Sequence, residues 1–372
     1  MKVFIITRHS INNYGSLLQS FATLFFFQSL GYDAKIINYI SENECIFKVI
    51  NSYAKNRNLL GIRKFVYCFF KFFDVFLSNC RFSKMRRKYL MMTRKFNSSE
   101  KMQCAFNNSL LCAGSDQLWG FMPNSEIDYA YYLNFGNDSN FFMSFSSSFG
   151  RYDFNEIELK NIKKHLEKFN LLTVRESSAV NFLRTLSIDS TEILDPTLMI
   201  DSSIYKKISG RRIIKENYIV VYKLRNDHQL ELLSSLLSQK FNLKIVYISN
   251  TYFHFNKSGK TFVNPDLSLM LSLFKYSDMI ISDSFHATVF SIIFEKQFYT
   301  HLPGKTNSRI VDFLNGIDLE KRFFSNINEL DFNNRIDFTS INNKINKKRE
   351  IYSKFLITEL DKIKRMYEQN FK

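Results

Sequence analysis

The sequence predicts an α/β protein made of two Rossmann-like domains that face a cleft. Three observations carry this reading. Short apolar runs alternate with helix-period patterns along most of the 372 residues. The alternation restarts near Asn217, after the short polar stretch ISGRRIIKEN (208–217). A helix-period segment then closes the chain at NNKINKKREIYSKFLITELDKIKRMYEQ (342–369). The length fits two domains and is enough to bury a large core without disulfides.

The elements follow in order. KVFIIT (2–7) reads as a strand, and RHSINNYG (8–15) as a polar loop. SLLQSFATLFFFQSLGY (16–32) has helical apolar spacing and stops at Gly31, and DAKIINYI (33–40) reads as the next strand. Strand, helix and strand in this order predict parallel pairing with a right-handed crossover. NSLLCAG (108–114) reads as a buried strand, and FFMSFSSSFG (141–150) as a strand running into a loop. Helices over about 155–168 and 176–186 precede or follow LLTVRE (171–176), a strand ending in charge. In the second half, NYIVVYKL (217–224), LKIVYIS (243–249), DMIISD (278–283) and QFYTHLPG (297–304) read as strands. Helices at 227–241, 264–277 and 284–295 separate them, the second opened by Pro265. The predicted division is 1–205, 206–330 and a terminal helix at 331–372 packing back on the first domain. Ligands are expected at the carboxyl ends of the strands, in the cleft.

Charge is unevenly spread. Thirteen Lys/Arg and one acid, Asp74, lie between Lys48 and Lys95, giving +12 of the net +16. This segment sits in a basic helical insertion over about 45–100. Its centre, LLGIRKFVYCFFKFFDVFLSNCRFSKMRRKYL, interleaves Phe, Leu and Val with Arg and Lys at helical spacing. Such a helix suits an anionic membrane surface, and a core helix with a basic outer face is the plainer reading. No nucleic-acid motif accompanies it, so nucleic acid is not the expected partner. No apolar run is long enough for a transmembrane helix, and MKVFIITRHS lacks a signal-peptide pattern. Five cysteines without metal spacing fit reduced thiols in a cytoplasmic protein. No metal or cofactor is expected.

Five polar clusters fall at predicted strand ends. Asn12-Asn13-Tyr14-Gly15-Ser16 opens the first helix, where backbone N–H groups attract anions and Gly15 permits close approach. Gly114-Ser115-Asp116-Gln117 follows a strand, with Trp119, the only Trp, close behind. There Asp116 could act as a base and Trp119 could stack on a sugar, or the pair is a capping Asp and a core Trp. Arg175-Glu176 ends a strand, and a guanidinium there suits a carboxylate or phosphate, or a structural salt bridge. Asp195-Pro196-Thr197 is a rigid turn that holds Asp195 out of helix. Asp283-Ser284-Phe285-His286 joins a strand to an apolar helix. Ser284 suits the N-cap and places His286 in the first turn, beside the positive helix end, where it suits general acid work on a phosphorylated substrate.

In this order and spacing the clusters resemble the polysaccharide pyruvyl transferase family. The resembling segments are NYGSLLQSFA (13–22), GSDQLW (114–119), TVRE (173–176), LDPTLMI (194–200), DSFHATVFSIIFEKQF (283–298) and NSRIVDFLNGIDLEKR (307–322). The resemblance implies a fold similar to GT-B glycosyltransferases, phosphoenolpyruvate as donor, and a hydroxyl pair of a surface-polysaccharide sugar as acceptor. The products are a pyruvate ketal and phosphate. His286 matches the family's catalytic histidine and Arg175 its donor-binding arginine. One position departs. Some branches carry Arg two residues before that histidine, where this chain has Ser284. The donor's anionic groups then call for another cation: Arg309, Lys223 or Arg225.

The expected site therefore comprises His286 and Asp116 as catalytic groups. Arg175, Arg309, Ser284, Asn13, Gly15 and Lys223 are expected around the donor. Trp119, Gln117 and Asp195 are expected around the acceptor. A lipid-linked acceptor would give the segment 48–95 a role on the inner face of the cytoplasmic membrane. A nucleotide-sugar glycosyltransferase and a non-catalytic membrane-surface module of polysaccharide assembly are the competing readings.

Overall fold

The computed structural model describes residues 1–41, 44, 50–51, 61–122, 126–224, 227–251, 259–302 and 308–370. The first half is built on β1 (Lys2–Ile6), β2 (Asp33–Tyr39), β3 (Met92–Phe96), β4 (Ser109–Ala113) and β6 (Asn140–Ser144). These pair in parallel in the order β3-β2-β1-β4-β6. The order reverses beside β1, which leaves a crevice at the carboxyl ends of β1 and β4. Central β4, SLLCA, is buried at every position, as a strand covered on both faces must be.

The second half repeats the plan. It uses β10 (Tyr218–Tyr222), β11 (Lys244–Ser249), β12 (Lys260–Val263), β13 (Met279–Ser282), β14 (Gln297–His301) and β15 (Phe323–Phe324). Their order is β12-β11-β10-β13-β14-β15, again parallel, with the reversal between β10 and β13. The fold is thus α/β with two Rossmann-like halves across a cleft, in the GT-B manner, and a C-terminal helix.

A small parallel sheet sits at the junction: β5 (Asp116–Gln117), β7 (Ser147–Ser148), β8 (Thr173–Val174) and β9 (Thr191–Glu192). The expected strand that opens 141–150 is β6, and the loop expected to follow it contains a second short strand, β7, which belongs to a different sheet. The break falls at Ser146, whose φ of 57° turns the chain.

Two helices are buried nearly all round and join the halves. Helix α1 (Tyr14–Ser29) is buried on nearly every side, with its buried polar Gln19, Ser20 and Thr23 hydrogen-bonded within the protein, so it packs as an interior helix. Tyr14 rests against Tyr222 of β10, with ring centroids 6.3 Å apart, and its hydroxyl donates to the Pro265 carbonyl. Helix α9 (Phe285–Ile293) is its counterpart in the second half. Between them in the chain lie α2 (Gly61–Tyr89), α3 (Glu156–Leu166), α4 (Ser177–Thr185), α5 (Pro196–Met199), α6 (Ser202–Ile208), α7 (His228–Phe241) and α8 (Leu267–Lys275). One core runs through both halves, from Val3 and Phe27 to Phe274 and Phe290.

Two helices follow, α10 (Ser308–Asn315) and α11 (Phe338–Asn370). Helix α11 starts on the second half, where Asn342 donates to Glu295 at 2.8 Å. Further along, Arg349 donates to the Leu198 carbonyl at 2.6 Å, and Tyr367 packs on Phe141 of β6.

Candidate active site

Helices α1 and α9 point their N-termini at one spot between the halves. Asn13 caps α1, its side-chain oxygen accepting from Gly15 N at 2.7 Å. Ser284 caps α9, accepting from Ala287 N at 3.4 Å. Both caps leave positive helix ends facing the cleft. At the meeting point a β-carbon on Gly15 would lie 2.2 Å from His286 Nδ1. Only glycine lets the α1 backbone lie against that imidazole.

The other edge of the ring faces a carboxylate. His286 Nε2 lies 3.6 Å from Asp195 Oδ2. Asp195 caps α5, where Pro196 takes the first helical position. Its Oδ1 accepts from Thr197 N at 3.0 Å and from the Thr197 hydroxyl at 2.6 Å. Its Oδ2 accepts from Arg175 Nη1 at 3.0 Å and from Ser115 Oγ at 3.5 Å. Burial alone would raise the Asp195 carboxyl, but His286, Arg175 and Thr197 hold it well below the usual carboxylate range. Asp195 therefore stays ionised and presents its charge to the imidazole Nε2.

Arg175 leaves β8 into the same space and is buried. Its guanidinium lies over the Phe285 ring at 4.8 Å and 3.7 Å from Glu176 Oε2. Its Nε and Nη2 make no hydrogen bond among the described residues. Buried N–H groups are normally paired; Nε faces the equally unpaired Glu176 Oε2, which leaves Nη2 as the donor without an acceptor among the described residues. Glu176 Oε1 is occupied by Ser148 Oγ at 2.6 Å and Tyr152 OH at 3.3 Å.

Half-buried Arg309 on α10 faces the cluster and makes no ion pair or hydrogen bond among the described residues. Burial, then repulsion from Arg175, pulls its guanidinium down to about 10, so it stays charged at neutral pH. Asp116 completes the group. Its φ of 91° is strained for a non-glycine residue. Its Oδ2 accepts from Ser16 Oγ at 2.8 Å and its Oδ1 from Gln117 N at 2.8 Å. Burial would raise its carboxyl, but Arg175, His286, Arg8 and Arg309 together lower it. An ionised Asp116 suits stabilising positive charge better than holding a proton.

The structure thus brings His286, Asp116, Arg175, Arg309, Asp195, Gly15, Asn13 and Ser284 together. Two expected members stand apart. Trp119 is wholly buried, donates Nε1–H to the Tyr131 carbonyl at 3.2 Å, and stacks on Tyr132 at 5.9 Å. It is a core residue and cannot stack on a sugar. Lys223 is ion-paired with Glu231 and leans over Tyr247, so its charge is already neutralised. Gln117 lies half-buried with its amide against Gly150. Arg225 lies outside the described residues.

Sequence reading missed two supports. Arg8, just after β1, pairs with Glu44 at 3.3 Å and still acts on Asp116. Arg86 of α2 donates to the Ser10 carbonyl at 3.0 Å and so ties down the loop before α1. A cation directly after β1 was the available signal for Arg8. Nothing local marks Arg86 among its basic neighbours.

Among the described residues, no group of His, Cys, Asp and Glu could hold a metal ion. Residues 13–300 match the sequence profile of the family described as polysaccharide pyruvyl transferase. No curated protein matches the chain. Its fold is similar to UDP-GlcNAc 2-epimerase from Methanocaldococcus jannaschii, at TM-score 0.47 and 12% identity, over 93% of this chain and 92% of that one. It is also similar to a TarM mutant from S. aureus, at TM-score 0.49 and 10% identity, over 99% and 100% of the two chains. A third is LPS heptosyltransferase II from E. coli, at TM-score 0.38 and 10% identity, over 94% and 99%. At these identities the likeness concerns the fold alone.

Proposed function

The chain belongs to the polysaccharide pyruvyl transferase family, and from that premise we propose that it transfers the enolpyruvyl group of phosphoenolpyruvate to a hydroxyl pair of a bacterial surface-glycan sugar. The products are a cyclic pyruvate ketal and phosphate. The acceptor is a capsule, lipopolysaccharide or exopolysaccharide unit, lipid-linked and built at the inner face of the cytoplasmic membrane.

The observation that carries the reading is the pairing of His286 with the buried Asp195–Arg175 ion pair, beside Arg309. Phosphoenolpyruvate is a small trianion that needs cations and helix ends around it. Arg175 Nη2, Arg309 and the N-termini of α1 and α9 supply them.

The chemistry then follows. His286 in its protonated form, facing Asp195, gives its proton to the donor's methylene carbon. The C–C double bond becomes a methyl group and an oxocarbenium centre. Asp116 stabilises that positive charge. The first acceptor hydroxyl forms a C–O bond to the centre, and its proton restores His286. The C–O bond to phosphate breaks, the second hydroxyl closes the ketal, and its proton leaves with phosphate. Positioning and electrostatics supply most of the rate.

The test is phosphate release from phosphoenolpyruvate, with and without acceptor glycan, in wild type and His286→Gln. Release that needs the acceptor and is lost in the variant supports transfer. Release at the same rate without acceptor contradicts it. Ser284 motivates a second reading with a nucleotide-sugar donor, because its hydroxyl caps α9 where another branch carries a cation. Thermal stabilisation by UDP- or GDP-sugars, with none by phosphoenolpyruvate, would favour it. A non-catalytic assembly role predicts unchanged glycan in a His286→Ala strain.

A further inference from the structure

Helix α2 is built inside out over its first half. Ile62, Phe65, Phe69, Phe73 and Phe76 recur every three or four residues and so form one stripe. That stripe faces outward: Ile62 is 83% exposed, Phe65 73% and Phe69 52%. The side turned to the protein is polar instead. Buried Asp74 accepts from Thr251 Oγ1 at 2.8 Å and from Lys71 Nζ at 2.6 Å. Buried Ser78 accepts from Asn264 Nδ2 at 2.8 Å and donates to the Asn250 carbonyl at 3.2 Å. These bonds fix the rotation of the helix, so the phenylalanines cannot turn inward. Past Ser78 the pattern becomes ordinary, with Phe82 and Met85 buried. The expected core helix with a basic outer face describes only this second half.

The charges decide what covers the stripe. Arg63, Lys64, Arg81, Lys84, Arg87 and Lys88 are exposed, while Asp74, the only acid on the helix, is buried. Pairing with a second copy would bring two cationic helices together with no exposed helix carboxylate to neutralise them. An anionic lipid surface meets both needs, taking the phenylalanines at the acyl boundary and the cations at the phosphates. No described helix is long and apolar enough to cross a membrane, so α2 would lie in the interface.

We propose that the Ile62–Phe76 stripe docks the protein on an anionic bilayer surface. The same helix, through Arg86, holds the loop that leads into α1, so docking also fixes the orientation of that loop relative to the surface. This adds the contact surface to the lipid-linked acceptor proposed above, and it does not depend on the donor.

The test floats the full chain with phosphatidylcholine vesicles, with and without phosphatidylglycerol. The expected result is binding to the anionic vesicles that weakens as salt is raised. Phe65→Ser/Phe69→Ser/Phe73→Ser should lose at least about tenfold in partitioning with an unchanged melting temperature, since these side chains are exposed. Cys80 lies on the same stripe and is exposed, as is Cys104 elsewhere. Anionic vesicles should slow alkylation of Cys80 and leave Cys104 unchanged. Equal partitioning of the triple variant, or no binding to anionic vesicles, overturns the proposal. So does a dimer in sedimentation that the triple variant abolishes, because a second copy would then occupy the stripe. None of these readouts involves the donor, so failure here leaves the transferase reading standing.

Discussion

A β-carbon on Gly15 would stand 2.2 Å from Nδ1 of His286, closer than non-bonded atoms can approach. One residue comes from the first half and the other from the second, so the imidazole is seated by the way the halves abut. Gly15→Ala should therefore displace His286. A misplacement of about 1 Å costs on the order of a hundredfold in turnover. Alanine inside α1 gains about 1 kcal/mol of helix propensity, which offsets much of the clash in stability. The expected outcome is a large fall in kcat with a small change in melting temperature. Turnover equal to wild type would mean that this contact does not position the ring.

Asp195→Asn and Arg175→Ala each break the buried Asp195–Arg175 ion pair, leaving Arg175 only Glu176 at 3.7 Å, or Asp195 only His286, Ser115 and Thr197. Each should destabilise by roughly 3–5 kcal/mol. The double variant should be less destabilised than the sum of the two, because the residues share one interaction. Urea unfolding of the four proteins checks this. Additive losses would mean that the pair is not coupled.

Acid should unfold the protein through the same carboxylates. Both Asp195 and Asp116 have folded-state pKa values lowered from the usual range. Groups shifted this way contribute stability that is fully present above the unfolded value of about 3.9, and it fades as pH falls through the folded value. Stability should thus be flat above about pH 5 with respect to these groups and fall steeply below about pH 4. Asp195→Asn should flatten that acid limb. A variant with the wild-type slope would remove Asp195 as its source.

Lys223→Ala should change phosphate release little, about twofold or less, because Glu231 already holds that ammonium. A loss of a hundredfold would return Lys223 to the donor site.

Local pattern made the fold readable. β1, β2, β4 and β13 appear within a residue or so of their apolar runs, because buried parallel strands leave a strong hydrophobic signature. The strand-end rule gathered His286, Arg175, Asp116 and Asp195, since residues at carboxyl ends of parallel strands converge whatever their order in the chain. Other features were not local. The seating of His286 by Gly15 depends on two helices more than two hundred residues apart. Trp119 read equally as a stacking platform or a core residue, because burial by Tyr131, Tyr132 and Phe149, which makes it core, is a tertiary fact. Lys223 read as a free cation because its partner lies a helical turn into α7. The outward stripe of α2 follows from polar anchors at Asp74 and Ser78, which periodicity alone cannot distinguish from an outer face.

The most direct measurement is a calorimetric titration of phosphoenolpyruvate into wild type, Arg309→Ala and His286→Gln, with acceptor glycan present and absent. Arg309 is the variant of choice, since among the described residues it makes no hydrogen bond or ion pair and acts on its neighbours only through its charge. The expected result is binding to wild type, at least about tenfold weaker binding to Arg309→Ala, and near-normal binding to His286→Gln without turnover. Wild type that fails to bind phosphoenolpyruvate even with acceptor present, while a nucleotide sugar binds, would contradict the proposed donor.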